Sequence, residues 1–77
     1  MGKTCINIGK EIHDELMRQG HSVLWLSQHL GCNRTNIYNI FMRESISTEL
    51  LYNVSIALGK DFFALYSQEI AKQGEDQ

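Results

Sequence analysis

Residues 22–41 read SVLWLSQHLGCNRTNIYNIF, and this stretch decides the fold class. Ser22 favours the N-cap of a helix, because its hydroxyl can accept a backbone N–H of the first turn. Gly31 favours a helix end, since glycine adopts the left-handed conformation at little cost. Asn33 is a second N-cap residue, separated from the first predicted helix by only two residues. The stretch therefore predicts two short helices joined by a tight turn. Their expected bounds are about 23–30 and 34–42.

Apolar and small residues occur in this stretch where two crossing helices require them. The helices need apolar anchors, a small residue at their closest approach and a glycine in the turn. These positions are filled by Leu26, Ser27, Leu30, Gly31, Cys32, Ile37 and Ile40, with Cys32 expected to point inward. The pattern predicts a helix-turn-helix. It leaves open an ordinary corner between two helices of a bundle.

Three further helices are predicted outside this stretch. Ile8, Ile12 and Leu16 recur at four-residue spacing, which gives one apolar stripe. Ser47 and Asp61 are N-cap candidates for two C-terminal helices. The expected bounds are about 8–19, 48–58 and 62–70. No segment alternates as a strand does, so the predicted class is all-α, a five-helix bundle. We expect one domain over residues 1–77, with an ordered core over about 6–70 and a frayed tail over 71–77.

The third predicted helix leaves one polar face exposed. Successive residues of a helix turn by about 100°, so burial of the apolar side leaves Arg34, Thr35, Tyr38, Asn39 and Met42 outside. Arginine can bond guanine through two hydrogen bonds, asparagine can do the same with adenine, and threonine offers a hydroxyl and a methyl group. A merely solvated helix face more often carries paired lysine and glutamate. This face has no acidic residue, so it favours contact with DNA bases.

The distribution of charge also favours an anionic partner, although the chain carries a formal net charge of −2. Residues 16–43 contain three arginines and no acidic residue. Residues 44–77 contain six acidic residues and two lysines. A segment kept free of carboxylates suits a ligand that carries phosphate groups.

Length and composition argue against most enzymes. A domain of 77 residues buries only about 60% of the surface of its unfolded chain, so no small-molecule substrate is expected. The histidines and two cysteines do not form metal-ligand spacing, and no cofactor loop or catalytic constellation is visible. We therefore expect no enzymatic activity, no cofactor and no metal. No signal peptide or membrane-spanning segment is visible, so a cytoplasmic location with reduced cysteines is expected.

From Ile8 to Tyr66 the chain resembles a lambda-repressor-like, XRE-type helix-turn-helix domain. More narrowly, it is similar to small single-domain members that share three of its segments, which here span 22–26, 32–38 and 61–63. The resemblance implies a five-helix fold whose third helix enters the major groove. The base-contacting positions that it implies are Asn33, Arg34, Thr35, Tyr38 and Asn39.

Two departures from the family bear on the phosphate contacts. The family often opens its second helix with a glutamine that binds a phosphate, and Val23 stands there in this chain. Its recognition helix is often followed by glutamate and glycine, where this chain has Phe41 and Arg43. The residues expected to contact phosphate instead are Ser22, Arg43 and Ser45.

The fourth predicted helix and Trp25 each allow two interpretations. Tyr52 and Ile56 lie roughly opposite the predicted inward side of that helix, and the fifth predicted helix has a wide apolar arc. These two helices either bury against each other or form a homodimer seam. Trp25 either packs on the first helix or offers a stacking platform for bases. The leading functional hypothesis is sequence-specific binding of double-stranded DNA in transcriptional regulation. The alternative is a helix-turn-helix used for protein contact, for instance in an antitoxin-like subunit.

Overall fold

The computed structural model describes residues 6–75, which form five α-helices and no strand. The predicted all-α class is confirmed. The helices are α1 (Ile8–Gln19), α2 (Val23–Leu30), α3 (Arg34–Phe41), α4 (Thr48–Leu58) and α5 (Phe63–Glu75).

Side-chain caps fix where the first four helices begin. The side chains of Ser22, Asn33 and Ser47 accept the backbone N–H three residues further on, at 3.0, 2.9 and 3.2 Å. These are the three N-caps predicted from the sequence for α2, α3 and α4. Asn7 caps α1 in the same way, accepting the N–H of Lys10 at 3.2 Å. The predicted bounds of α1, α2 and α4 are confirmed to the residue.

The predicted end of α5 is wrong. The helix continues five residues past Ile70, to Glu75. Apolar periodicity stops at Ile70, but alanine, lysine and glutamine follow, and these are strong helix formers. The rest of the predicted tail lies outside the described residues. The helix also begins at Phe63 rather than at residue 62 as predicted. Asp61, the predicted N-cap, accepts the N–H of Ala64 at 3.3 Å through its backbone carbonyl.

The core lies between α1, α3 and α4, with one side chain from α2 and one from the turn before α5. Its buried apolar residues are Ile8, Ile12, Leu16, Leu26, Ile37, Ile40, Leu51, Val54, Leu58 and Phe62. Phe62 is the largest fully buried side chain and directly precedes α5. The described part of α5 packs on this core through partly buried residues such as Leu65 and Tyr66.

The N-terminus of α1 lies directly against the chain that leaves α3. Ile8 and Gly9 donate their N–H groups to the carbonyls of Glu44 and Arg43, at 3.2 and 3.0 Å. The first N–H groups of a helix have no intrahelical partner, and this contact satisfies two of them for α1. The approach is so close that a methyl group on Gly9 would lie within 2.6 Å of the Phe41 carbonyl oxygen. It would also collide with the carbonyl oxygens of Ile40 and Arg43.

The other end of α1 carries a buried carboxylate. Glu15 is only 6% exposed, and it accepts hydrogen bonds from Arg18 and from Gln19 Nε2, the latter at 2.8 Å. Gln19 Nε2 also donates to the carbonyl of Leu58 at 2.7 Å, at the C-terminus of α4. Lys60 Nζ lies 3.7 Å from Glu15 Oε1. Hydrogen bonds from Arg18 and Gln19, aided by the charges of Arg18 and Lys60, lower the pKa of Glu15 from 4.5 to about 2 against the effect of burial.

We predict that Gly9→Ala destabilises the domain, although alanine normally favours a helix over glycine. The added methyl group cannot fit against the three carbonyls, so the free energy of unfolding should fall by about 1–3 kcal/mol. Gly74→Ala is the control, because it adds the same group to α5 in open space. Urea denaturation should show loss for Gly9→Ala and no loss for Gly74→Ala. Equal stability of both variants would contradict the close approach.

We predict that Glu15→Gln lowers the free energy of unfolding by about 1–3 kcal/mol at pH 7, the range for hydrogen bonds to charged groups. Because the folded pKa of Glu15 is lowered, its contribution is present above about pH 4.5 and is lost as the pH falls toward 2. The difference in free energy of unfolding between wild type and variant should therefore vanish over that interval in urea titrations. Asp14→Asn alters an exposed carboxylate on the same helix and should change stability by less than about 1 kcal/mol. A gap that does not depend on pH would exclude this role for Glu15.

Candidate nucleic-acid interface

Helices α2 and α3 are joined by the three residues that the sequence indicated. Gly31 adopts the left-handed conformation at φ 68°, which a side-chain-bearing residue adopts only with strain. Cys32 then donates its N–H to the carbonyl of Ser27 at 3.0 Å. Asn33 caps α3, so the new helix begins at Arg34. Ser27 is 3% exposed and sits in the core as the predicted small residue. Cys32 packs against the core as expected, although it is only partly buried.

The predicted base-contacting residues all lie at the surface. Asn33, Arg34, Thr35, Tyr38 and Asn39 are exposed, and Ile37 and Ile40 on the opposite side of α3 are buried. Four of these five side chains have polar groups that are free to contact a ligand. Asn33 differs, because its Oδ1 accepts the N–H of Asn36 at 2.9 Å and only its Nδ2 can still donate outward. The structure thus presents these residues on one side of a helix that the core holds from the other.

An aromatic contact that the sequence analysis missed supports this face. The ring of His13, on α1, meets that of Phe41 edge-on with centroids 5.0 Å apart. Phe41 meets Tyr38 in the same manner at 6.2 Å. The three rings therefore connect α1 to the exposed side of α3 and restrict the Tyr38 ring. The three-residue spacing of Tyr38 and Phe41 on a helix is the signal that could have indicated their contact. Nothing in the sequence placed His13 beside them.

The three residues expected to contact phosphate occupy separate places. Ser22 is exposed, and its Oγ accepts the N–H of Trp25 at 3.0 Å, so its hydroxyl proton can still be donated. Arg43 is exposed after α3, and its backbone is held by the N–H of Gly9. Ser45 is also exposed. The structure brings Arg43, but neither serine, into a shallow groove beside Asn36 and Asn39. Asn36 is a polar neighbour of this site that sequence reasoning left out.

The indole ring of Trp25 is not available to stack on a DNA base. His21 covers one side of the indole, with ring centroids 3.7 Å apart and planes 4° from parallel. His29 covers it as well, at 4.0 Å and a tilt of 33°. His29 is fixed in turn, because its Nδ1 lies 3.0 Å from the carbonyl of Trp25. The partly buried indole also packs against the core, so Trp25 serves the packing of α2.

Two apolar side chains of α4 stand outside the core. Tyr52 is 57% and Ile56 66% exposed, so these residues do not pack within the described part of the chain. They form a ridge between two shallow grooves. One groove is lined on its other side by His29 and Leu30, and the other by Gly59, Lys60 and Phe63. The interpretation in which α4 and α5 bury these two residues is wrong.

Neither a metal-ligand cluster nor a membrane-spanning helix is found in the part of the chain that the structure describes. Within residues 6–75, no group of three or more histidine, cysteine, aspartate or glutamate side chains is placed to hold a metal ion. No helix among them has the length and apolar character needed to cross a membrane.

Comparison with known proteins returns nothing significant for this chain: no protein-family model, curated protein or solved structure matches it.

Proposed function

We propose that this chain binds double-stranded DNA in a sequence-specific manner and regulates transcription. In this proposal α2 and α3 form a helix-turn-helix of the lambda-repressor-like, XRE-type class, and α3 enters the major groove. One observation carries the proposal. The exposed side of α3 presents Arg34, Thr35 and Asn39 together without any acidic side chain, on a helix anchored by its buried side. The proposed location that goes with this function is the cytoplasm.

The roles of the individual residues follow from their chemistry. Arg34 suits guanine, Asn39 suits adenine, and Thr35 can contact thymine or donate a hydrogen bond. Asn33 and Tyr38 border these three, and Asn33 keeps one free donor group. Phosphate contact falls to Ser22, Arg43 and Ser45, of which Arg43 lies nearest the base-contacting residues in the groove beside Asn39. This division into positioning contacts and base contacts is general for DNA-binding proteins.

The experiment that tests the proposal is selection of bound duplexes from a random DNA library by the full chain. Enrichment of a defined sequence, with affinity that falls steeply as salt rises, would support DNA binding. A lack of enrichment would favour the alternative, in which the same face binds a protein, as in an antitoxin-like subunit.

We predict that Arg34→Ala and Asn39→Ala each weaken binding to the selected duplex by about 1–3 kcal/mol and relax the base preference at one position. Arg34→Lys keeps the charge but cannot form the bidentate hydrogen bonds of arginine. It should therefore lose the base preference while retaining more affinity than Arg34→Ala. Gln68→Ala, which removes an exposed carboxamide on α5, is the matched control. Competition titrations against single-base variants of the duplex measure both effects. Wild-type affinity and preference in both alanine variants would show that α3 does not contact the bases.

We also propose that the DNA-bound form is a homodimer. Arg18 is paired with Glu15, so only Arg34 and Arg43 of the three arginines in residues 16–43 remain for phosphate. They would give one copy a salt slope of only about 2, which is small for specific binding. Two copies double both the base contacts and the neutralised phosphates. The ridge of Tyr52 and Ile56 between its two grooves suits a two-fold contact, in which each copy offers the same surface. A two-fold pair would place its half-sites about one DNA turn apart.

We predict that Tyr52→Glu combined with Ile56→Glu converts a 2:1 complex on the selected duplex to a weaker 1:1 complex. The introduced carboxylates would be buried against each other at the seam, where like charges without partners are costly. Met17→Glu places a carboxylate on another exposed apolar side chain, on α1, and should leave the 2:1 mass unchanged. Native mass spectrometry of the complexes measures the stoichiometry. A wild-type complex of full affinity at 1:1 would exclude the homodimer.

A further inference from the structure

The centre of the exposed side of α3 is rich in apolar groups. At about 100° per residue, the buried residues Ile37 and Ile40 define one side of the helix. Thr35, Asn39 and Met42 lie on the opposite side, and Tyr38 stands beside them. Arg34 lies toward one edge. The residues that project farthest from the core therefore carry a methyl group, a thioether and one carboxamide rather than charged groups.

Met42 and Tyr38 are unusually exposed for their size. Met42 is 84% and Tyr38 54% exposed, and they lie one helical turn apart. Neither belongs to the core. Tyr38 is nevertheless restricted, because its ring packs edge-on against Phe41 at 6.2 Å, and Phe41 is held in turn by His13 at 5.0 Å. A restricted exposed ring loses less conformational freedom on binding than a mobile one.

Among the four bases, only thymine presents a methyl group in the major groove. Threonine methyl groups and other apolar side chains contact that group, and asparagine pairs with adenine, the base opposite thymine. Each group at the centre of the α3 face thus matches one half of an A·T pair. The side chain that matches guanine, Arg34, lies at the edge.

The geometry points to an A·T-rich half-site, recognised through thymine methyl groups by Thr35, Tyr38 and Met42 and through adenine by Asn39. Guanine is confined to the position beside Arg34. This inference rests on the proposed DNA-binding function and names its target chemistry. DNA is the occupant that the surroundings favour, because no acidic residue occurs between residues 16 and 43 and Arg34 and Arg43 flank the apolar groups.

The test uses the duplex selected by the full chain. Each thymine is replaced in turn by deoxyuridine, which removes only the methyl group and leaves base pairing intact. Affinity should fall roughly fourfold at each contacted position, the effect of losing burial of one methyl group. Thymines outside the bound site serve as controls and should be insensitive.

Protein variants assign the contacts. Met42→Ala should remove the sensitivity to deoxyuridine at one thymine, since that methyl group then has no apolar partner. Met17→Ala shortens a methionine that is 48% exposed on α1, away from α3, and should keep the full pattern of sensitivity. Because Met42 is exposed, its loss leaves folding intact, which thermal melting of both variants checks.

The outcomes separate this inference from the function on which it rests. Specific binding to a duplex whose thymines all tolerate deoxyuridine, or selection of a G·C-rich site, would overturn the methyl contacts and leave DNA binding standing. Failure to enrich any duplex would overturn both. Enrichment of an A·T-rich site with position-specific loss on methyl removal supports the inference.

Discussion

The rest of the structure depends on α1, because polar groups at both of its ends donate hydrogen bonds to backbone carbonyls elsewhere in the chain. The N-terminus of α1 donates to the two carbonyls that follow α3, and Gln19 at its other end donates to the last carbonyl of α4. A single helix thereby fixes the ends of two others. The contact at α3 depends on Gly9, because only a residue without a side chain lets the two backbones approach so closely.

The outward position of the candidate interface follows from this arrangement. With the C-terminal end of α3 held by α1 and its Ile37 and Ile40 in the core, only one side of the helix can face solvent. The turn at Gly31 and the Asn33 cap fix the other end. The carboxylate of Glu15 also connects α1 to the turn between α4 and α5, through its ion pair with Lys60. The side of α3 that is left exposed is held at both ends by the rest of the domain.

Local signals in the sequence predicted most of the helices. They could not predict the contacts between residues that are distant in the chain. Capping residues and apolar spacing placed α1, α2 and α4 to the residue, because both signals act within one or two helical turns. The end of α5 was misplaced, since helix propensity rather than burial carries Ala71 to Glu75. The exposed face of α3 was predicted correctly as a surface. The roles of Gly9, Glu15 and His13 were not, because each depends on residues from distant parts of the chain that only the fold brings together.

The side chains on the α3 face differ in how firmly the fold holds them, and this affects how such a surface can evolve. Asn33 caps the helix and Tyr38 belongs to an aromatic contact, so replacing either would also disturb the structure. Arg34, Thr35 and Asn39 make no side-chain hydrogen bond or ion pair within the described residues. If α3 binds DNA as proposed, substitutions at these three positions can alter its target while the domain stays folded. A lineage of such proteins could therefore diverge in specificity at these three sites without loss of stability, on a scaffold that remains unchanged.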